Sequence, residues 1–213
     1  MPSSVTTCIS PGAKTLPAGV YTTRCFLPGM KITIPAGGWR RTEDTAGELE
    51  LIPPNGTNTE SPALRAFIDP HASTPCTGKS LATDISTPSL IVKWLKANKN
   101  LVIKGPRKTT IAGATSAVFV DLDTTVSAPK CDPSCPGPCL DYFLFKVPGI
   151  GADPYGTGRG ELTRLYFAQI GSPKHLFVFN VDTPNSKAFA TMTAAAAKMV
   201  AGLRLPSHFP SAR

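Results

Sequence analysis

Six cysteines, Cys8, Cys25, Cys76, Cys131, Cys135 and Cys139, are the side chains with the most chemistry to offer in this 213-residue chain. Three of them fall within nine residues, Cys131-Asp-Pro-Ser-Cys135-Pro-Gly-Pro-Cys139, where proline and glycine let the chain turn without bending a strand. Sulfurs so placed either pair as disulfides or converge as thiolates on a metal ion or an iron–sulfur cluster. Zinc sites normally use two ligand pairs, whereas here there is one cluster, and His71, His175 and His208 show no ligand pattern with it. The even count favours disulfides, and disulfides imply an oxidising compartment. Cys8 is expected to bond Cys25, and Cys76 one of the three loop cysteines. No cofactor and no resident metal are expected.

Catalysis needs a nucleophile, a base and a stabiliser held together. Gly-x-Ser-x-Gly, His-Glu-x-x-His and a P-loop are absent from the sequence. Gly149-Ile-Gly151-Ala-Asp-Pro154 ends in Pro and opens no helix, so it does not read as a dinucleotide loop. His71 beside Asp69 is a conceivable acid–base pair, but all three histidines read as surface residues. Asp121 and Asp123 share one strand face, with a cation or carboxylate-pair role as the alternative to a solvent-facing edge. Turns are where binding groups concentrate. They offer Trp39 and Arg40 in one place, and Tyr155 and Arg159 in another, although a Trp usually packs. These four are the candidate binding residues.

Lys and Arg number 22 against 14 Asp and Glu, giving a net charge of +8. Each half of the chain, split after Pro106, carries 11 basic and 7 acidic residues, so there is no basic arm. One window differs. No acidic residue occurs between Asp84 and Asp121, while Lys93, Lys96, Lys99, Lys104, Arg107 and Lys108 all do. That run reads either as a solvated helix face with its following strand or as a contact for an anionic surface, with Lys93, Lys96 and Lys99 as the contact residues. Nucleic-acid recognition signatures are absent, and no nucleic-acid partner is expected.

The elements that must position these groups follow from periodicity. Gly19–Phe26 and Met30–Ile34 alternate across Pro28-Gly29 as a hairpin; Glu48–Ile52 and Ala63–Ile68 read as further strands. Thr87 and Pro88 start a helix with Leu90, Ile91, Trp94 and Leu95 on one face and lysines opposite. Strands are then expected at Leu101–Ile103, Thr109–Ile111, Ala117–Asp123, Tyr142–Val147, Leu162–Ile170 and His175–Val181, and a closing helix at about Ser186–Ala201. Hairpins without repeated βαβ units make an α+β fold, an antiparallel β-sheet of about seven to nine strands packed with two main helices. The expected layout is an arm over 1–18, one domain over 19–205 and a tail over 206–213. No stretch reaches the roughly 20 apolar residues of a membrane helix. Met1-Pro-Ser-Ser-Val-Thr-Thr lacks the features of a signal peptide, so a leader or anchor is expected to have been removed.

A strand ending Ile-Thr-Ile-Pro-Ala-Gly-Gly-Trp39, the helix Ser89–Asn98 with Leu101-Val-Ile-Lys-Gly-Pro106, the run Lys108–Asp121, the late strand Arg164–Ile170 and a final helix feeding Leu203-Arg-Leu205 form a combination. It resembles the extracytoplasmic domains of bacterial cell-envelope lipoproteins and membrane-anchored proteins that share the PsbP-like α/β sandwich, the LpqN type included. The resemblance spans about 19–205 and carries no catalytic motif. It implies a non-catalytic binding or accessory role outside the cytoplasm, in the periplasm, at the cell surface or secreted, with another envelope protein or an anionic envelope surface as partner. Alternatives are a hydrolase or metal-dependent enzyme using Asp69, His71 and the Cys131–Cys139 cluster, and a structural subunit of a large envelope or photosynthetic complex.

Overall fold

Polar–apolar alternation becomes sheet wherever both faces can be covered. In the computed structural model, which describes residues 13–54, 56, 62–129, 131, 142–148, 155–158 and 160–206, thirteen strands and two helices form. They run β1 (Lys14–Thr15), β2 (Gly19–Thr22), β3 (Lys31–Ile34), β4 (Arg40–Asp44), β5 (Glu48–Ile52), β6 (Ala63–Ile68), β7 (His71–Ala72) and α1 (Pro88–Ala97). Then come β8 (Leu101–Lys108), β9 (Val118–Thr124), β10 (Tyr142–Lys146), β11 (Tyr155–Thr157), β12 (Leu162–Ile170), β13 (His175–Thr183) and α2 (Ser186–Ala201).

The result is the α+β architecture expected: an eight-stranded antiparallel sheet, order β1-β4-β5-β6-β13-β12-β9-β8, with two helices. A small sheet β11-β10-β7 and the hairpin β2-β3 complete it. β12 and β13 pair over nine residues in the interior of the large sheet. One face meets α2 and the β2-β3 hairpin, burying Leu49, Leu64, Phe177, Phe179, Met192 and Met199. The other meets α1 and the small sheet, burying Phe67, Leu165, Phe167, Val178, Ile91 and Phe145. Each large side chain so buried contributes roughly 1.5–3 kcal/mol, so both faces are committed to a core.

The helices begin where the sequence marks them. Thr87 caps α1 by accepting the Leu90 N–H at 3.2 Å, with Pro88 at the first turn, and Asn185 caps α2 by accepting the Ala188 N–H at 2.9 Å. Departures have local causes. Thr109–Ile111 is not a separate strand: β8 continues to Lys108, and Ile111 closes a tight bridge with Ala114. Arg40–Asp44, all polar, becomes β4 because β1 and β5 flank it on both sides. Within the expected arm, Lys14–Thr15 pair with β4, and Leu16 is buried.

Asp44 anchors the start of the domain. Its buried carboxylate accepts from the Tyr21 hydroxyl at 2.7 Å and from the backbone N–H groups of Arg24, Cys25 and Phe26 at 2.9, 3.1 and 2.8 Å. No helix among the described residues is long and apolar enough to cross a membrane.

Candidate functional site

Cys76 bonds Cys131 across 55 residues of sequence, within the expected pairing of Cys76 with a loop cysteine. Cys25 is also disulfide-bonded; its partner is one of Cys8, Cys135 and Cys139, which lie outside the described residues. With the Cys131 sulfur committed to Cys76, a three-thiolate metal site at the loop is not formed.

The acid–base expectation is redrawn. His71 is exposed, and Asp69 instead meets His175, with His175 Nδ1 2.6 Å from its Oδ2 while the Leu176 N–H donates to Oδ1 at 2.9 Å. His175, read from sequence as a surface residue, is buried at the start of β13. Asp121 does not face solvent alone: Arg164 grips it from the neighbouring strand. Trp39 is 4% exposed and packs in the α2-side core, whereas Arg40 lies beside it and donates to the Gly56 carbonyl. Arg159 lies outside the described residues.

Two features remain that can recognise something. The first is basic. Lys93 and Lys96 are exposed on α1 and Lys99 in the turn after it, and Lys104, Arg107 and Lys108 are exposed on β8, the edge strand of the large sheet. Between them lies a groove of about 500 Å³ lined by Pro88, Val92, Pro106 and Val118, with Ser89, Ser116, Lys93 and Lys96 around it. Its apolar floor and cationic rim suit a group that is anionic and partly apolar.

The second is acidic, and Tyr155 belongs to it. Alternation in β5 sends Leu49 and Leu51 to the α2 side and Glu48 and Glu50 to the other. Register then sets Arg65 opposite Glu50, Asn180 opposite Arg65, and Thr163 opposite Asp182. Arg65 reaches Glu50 at 2.7 and 2.8 Å, Asp182 at 3.2 Å and Glu48 at 3.5 Å. Thr163 lies 3.4 Å from both Asp182 and Thr157 of β11. Glu161, just before β12, accepts the Gly158 N–H. Tyr155 stacks on Phe145, with ring centroids 6.0 Å apart, and its ring also meets Phe67.

Charge crowding in this partly dehydrated place has a direct effect. Burial, reinforced by Glu50 and Glu43, pushes the Glu48 carboxyl up to about 7 against the pull of Arg65. Burial and the Asp182 charge do the same to Glu161, also to about 7. Asp182 is raised by burial while Arg65 and Thr163 oppose it, and the Tyr155 hydroxyl is held well above its ordinary range by burial and the carboxylates around it. Arg65, whose burial works against its charge, is kept firmly protonated by Glu50 and Asp182.

Of this cluster only Tyr155 was legible as a candidate. The missed signal was polar residues at Glu48, Glu50, Arg65, Asn180 and Asp182 on the parity that elsewhere in the same strands carries Phe67 and Val178. No family model, curated protein or solved structure matches the chain.

Proposed function

We propose that this chain is a non-catalytic binding domain that works outside the cytoplasm, in a cell envelope, and holds an anionic partner against α1 and β8. The observation that carries the reading is the pair Lys93 and Lys96 on the rim of an apolar groove, with exposed Lys99 following α1 and no carboxylate in the sequence between Asp84 and Asp121. Opposite charges in solvent attract weakly one by one, but several on one face add and steer an approaching anionic polymer or acidic protein surface. The disulfides support the compartment, since such bonds persist where thiols are oxidised. A PsbP-like sandwich of the envelope-lipoprotein kind is the proposed setting.

Polyphosphate and neutral dextran immobilised on beads separate this from a passive solvated face. Retention on polyphosphate alone, weakening as salt rises and abolished in Lys93→Glu/Lys96→Glu/Lys99→Glu, is the expected result. Equal retention of the variant and the parent removes the proposal.

A further inference from the structure

We propose that the acidic cluster between the large sheet and β11 is a binding site for a small primary ammonium compound that carries a hydroxyl or other acceptor near its nitrogen. This inference is independent of the basic groove, since it concerns a different part of the same sheet face and a ligand of the opposite charge.

The argument begins with an imbalance. Among the described residues, Glu48, Glu50, Glu161 and Asp182 surround a single guanidinium, that of Arg65. One cation cannot neutralise four carboxyl groups, and in a dehydrated setting the residual negative charge must be met by protons or by another cation. A metal ion is a poor fit, because among the described residues no three His, Cys, Asp or Glu side chains converge as a metal requires. An ammonium has three donors on a freely turning centre and does not demand that convergence.

The second observation is independent of charge. Asn180 is 0% exposed, lies on the same strand face as Arg65 and Asp182, and neither its amide nitrogen nor its amide oxygen has a hydrogen-bond partner. The buried Tyr155 hydroxyl, within electrostatic reach of Asp182, Arg65, Glu161 and Glu48, is likewise unpartnered. Buried polar atoms are almost always bonded, so the cluster holds three atoms that call for a complement. An ammonium answers the Asn180 carbonyl and the carboxylates; an acceptor beside it answers the Asn180 N–H and the Tyr155 O–H.

Access runs along a gradient. The side chains of Arg65, Glu50 and Glu48 are 23%, 15% and 13% exposed, while that of Asp182 is 3% exposed. The cluster therefore opens at the β5–β6 side and deepens towards β13. This also explains a choice of residue type. Asn180 sits where the alternation of β13 places Val178 two residues earlier, and an apolar side chain there would leave no neutral polar group to orient a ligand.

Calorimetric titration of the intact, oxidised protein with ethanolamine and with glucosamine, against ethylene glycol and glucose as neutral counterparts, tests the proposal. Saturable one-to-one binding of at least one amine and of neither neutral compound is expected. Binding should release protons from Glu48 and Glu161, so the heat should change with the ionisation enthalpy of the buffer. Asn180→Leu and Asp182→Asn should each weaken the amine about 10- to 100-fold. Tyr155→Phe, which removes one hydroxyl and keeps the ring packing, should weaken it several-fold and guards against loss of fold in the other two. Lys93→Glu/Lys96→Glu/Lys99→Glu should bind the amine as the parent does, so a failure of the basic-face reading leaves this one standing. Absence of saturable heat with both amines, equal binding of the neutral compounds, or parental affinity in folded Asn180→Leu and Tyr155→Phe overturns it.

Discussion

Arg164 clasps Asp121 across β12 and β9 with two parallel bonds, Nε to Oδ1 at 2.6 Å and Nη2 to Oδ2 at 3.0 Å. Its guanidinium also lies 4.4 Å from the Phe119 ring centroid and 5.4 Å from that of Phe189 on α2. Both side chains of the ion pair are largely buried, so the bonds are shielded, and the arginine joins sheet to helix. Arg164→Leu should cost about 2 kcal/mol, because it leaves a shielded carboxylate with only the exposed Arg107 at 4.0 Å as a cationic partner. Arg164→Lys should recover only part of this, since lysine lacks the planar fork. Urea denaturation of the three proteins checks both, and a lysine variant as stable as the parent contradicts the account.

The acidic cluster predicts a pH profile. Glu48 and Glu161 take up protons near 7 in the folded chain and near 4.5 when unfolded, so the native state holds more protons between those values. Their contribution is therefore complete below pH 4.5 and is lost as the pH rises through 7, on the order of 2–3 kcal/mol for each. Glu161→Gln, which retains an acceptor for Gly158, should flatten the fall. Urea midpoints compared at about pH 5 and about pH 8 provide the measurement, and an unchanged slope in the variant refutes the assignment.

Joining Cys76 to Cys131 closes a loop over 55 positions. A closure of that length restricts the unfolded chain by about 4 kcal/mol in the loop-entropy picture. Cys76→Ser/Cys131→Ser should melt correspondingly earlier than the oxidised parent, and a reductant should lower its melting temperature by less than it lowers the parent's. Thermal scans with and without reductant read this directly.

Gly156 holds β11 against β10: a Cβ there would lie 2.7 Å from the Tyr142 carbonyl oxygen and 3.2 Å from the Phe143 Cα. Backbone cannot retreat as a flexible side chain can, so Gly156→Ala should push β11 off the small sheet and expose Tyr155. Increased solvent quenching of tyrosine fluorescence is the expected sign, and an unaltered spectrum argues against it.

The large elements were readable because each carries its own periodicity. α2 lies at Ser186–Ala201 as its apolar stripe required, and the pairs β2-β3 and β12-β13 lie on either side of their turns. β4 and β11 were not readable: Arg-Arg-Thr-Glu-Asp has no apolar alternation, and Tyr-Gly-Thr is three residues inside a glycine-rich stretch. Both are strands because of what flanks them, which is tertiary information. The acidic cluster was hidden for the same reason. Glu48, Arg65, Glu161 and Asp182 come from distant parts of the chain, and the alternation rule assigns such residues to solvent unless a second layer covers that face. Tyr155 was singled out by residue type and loop position alone; the register of β5, β6 and β13 supplies its company.

Asp44 draws three consecutive amides, those of Arg24, Cys25 and Phe26, onto one carboxylate. The backbone that presents the Cys25 sulfur is thus gripped by a carboxylate as well as by its covalent bond, so the shape of this segment has a second, non-covalent support.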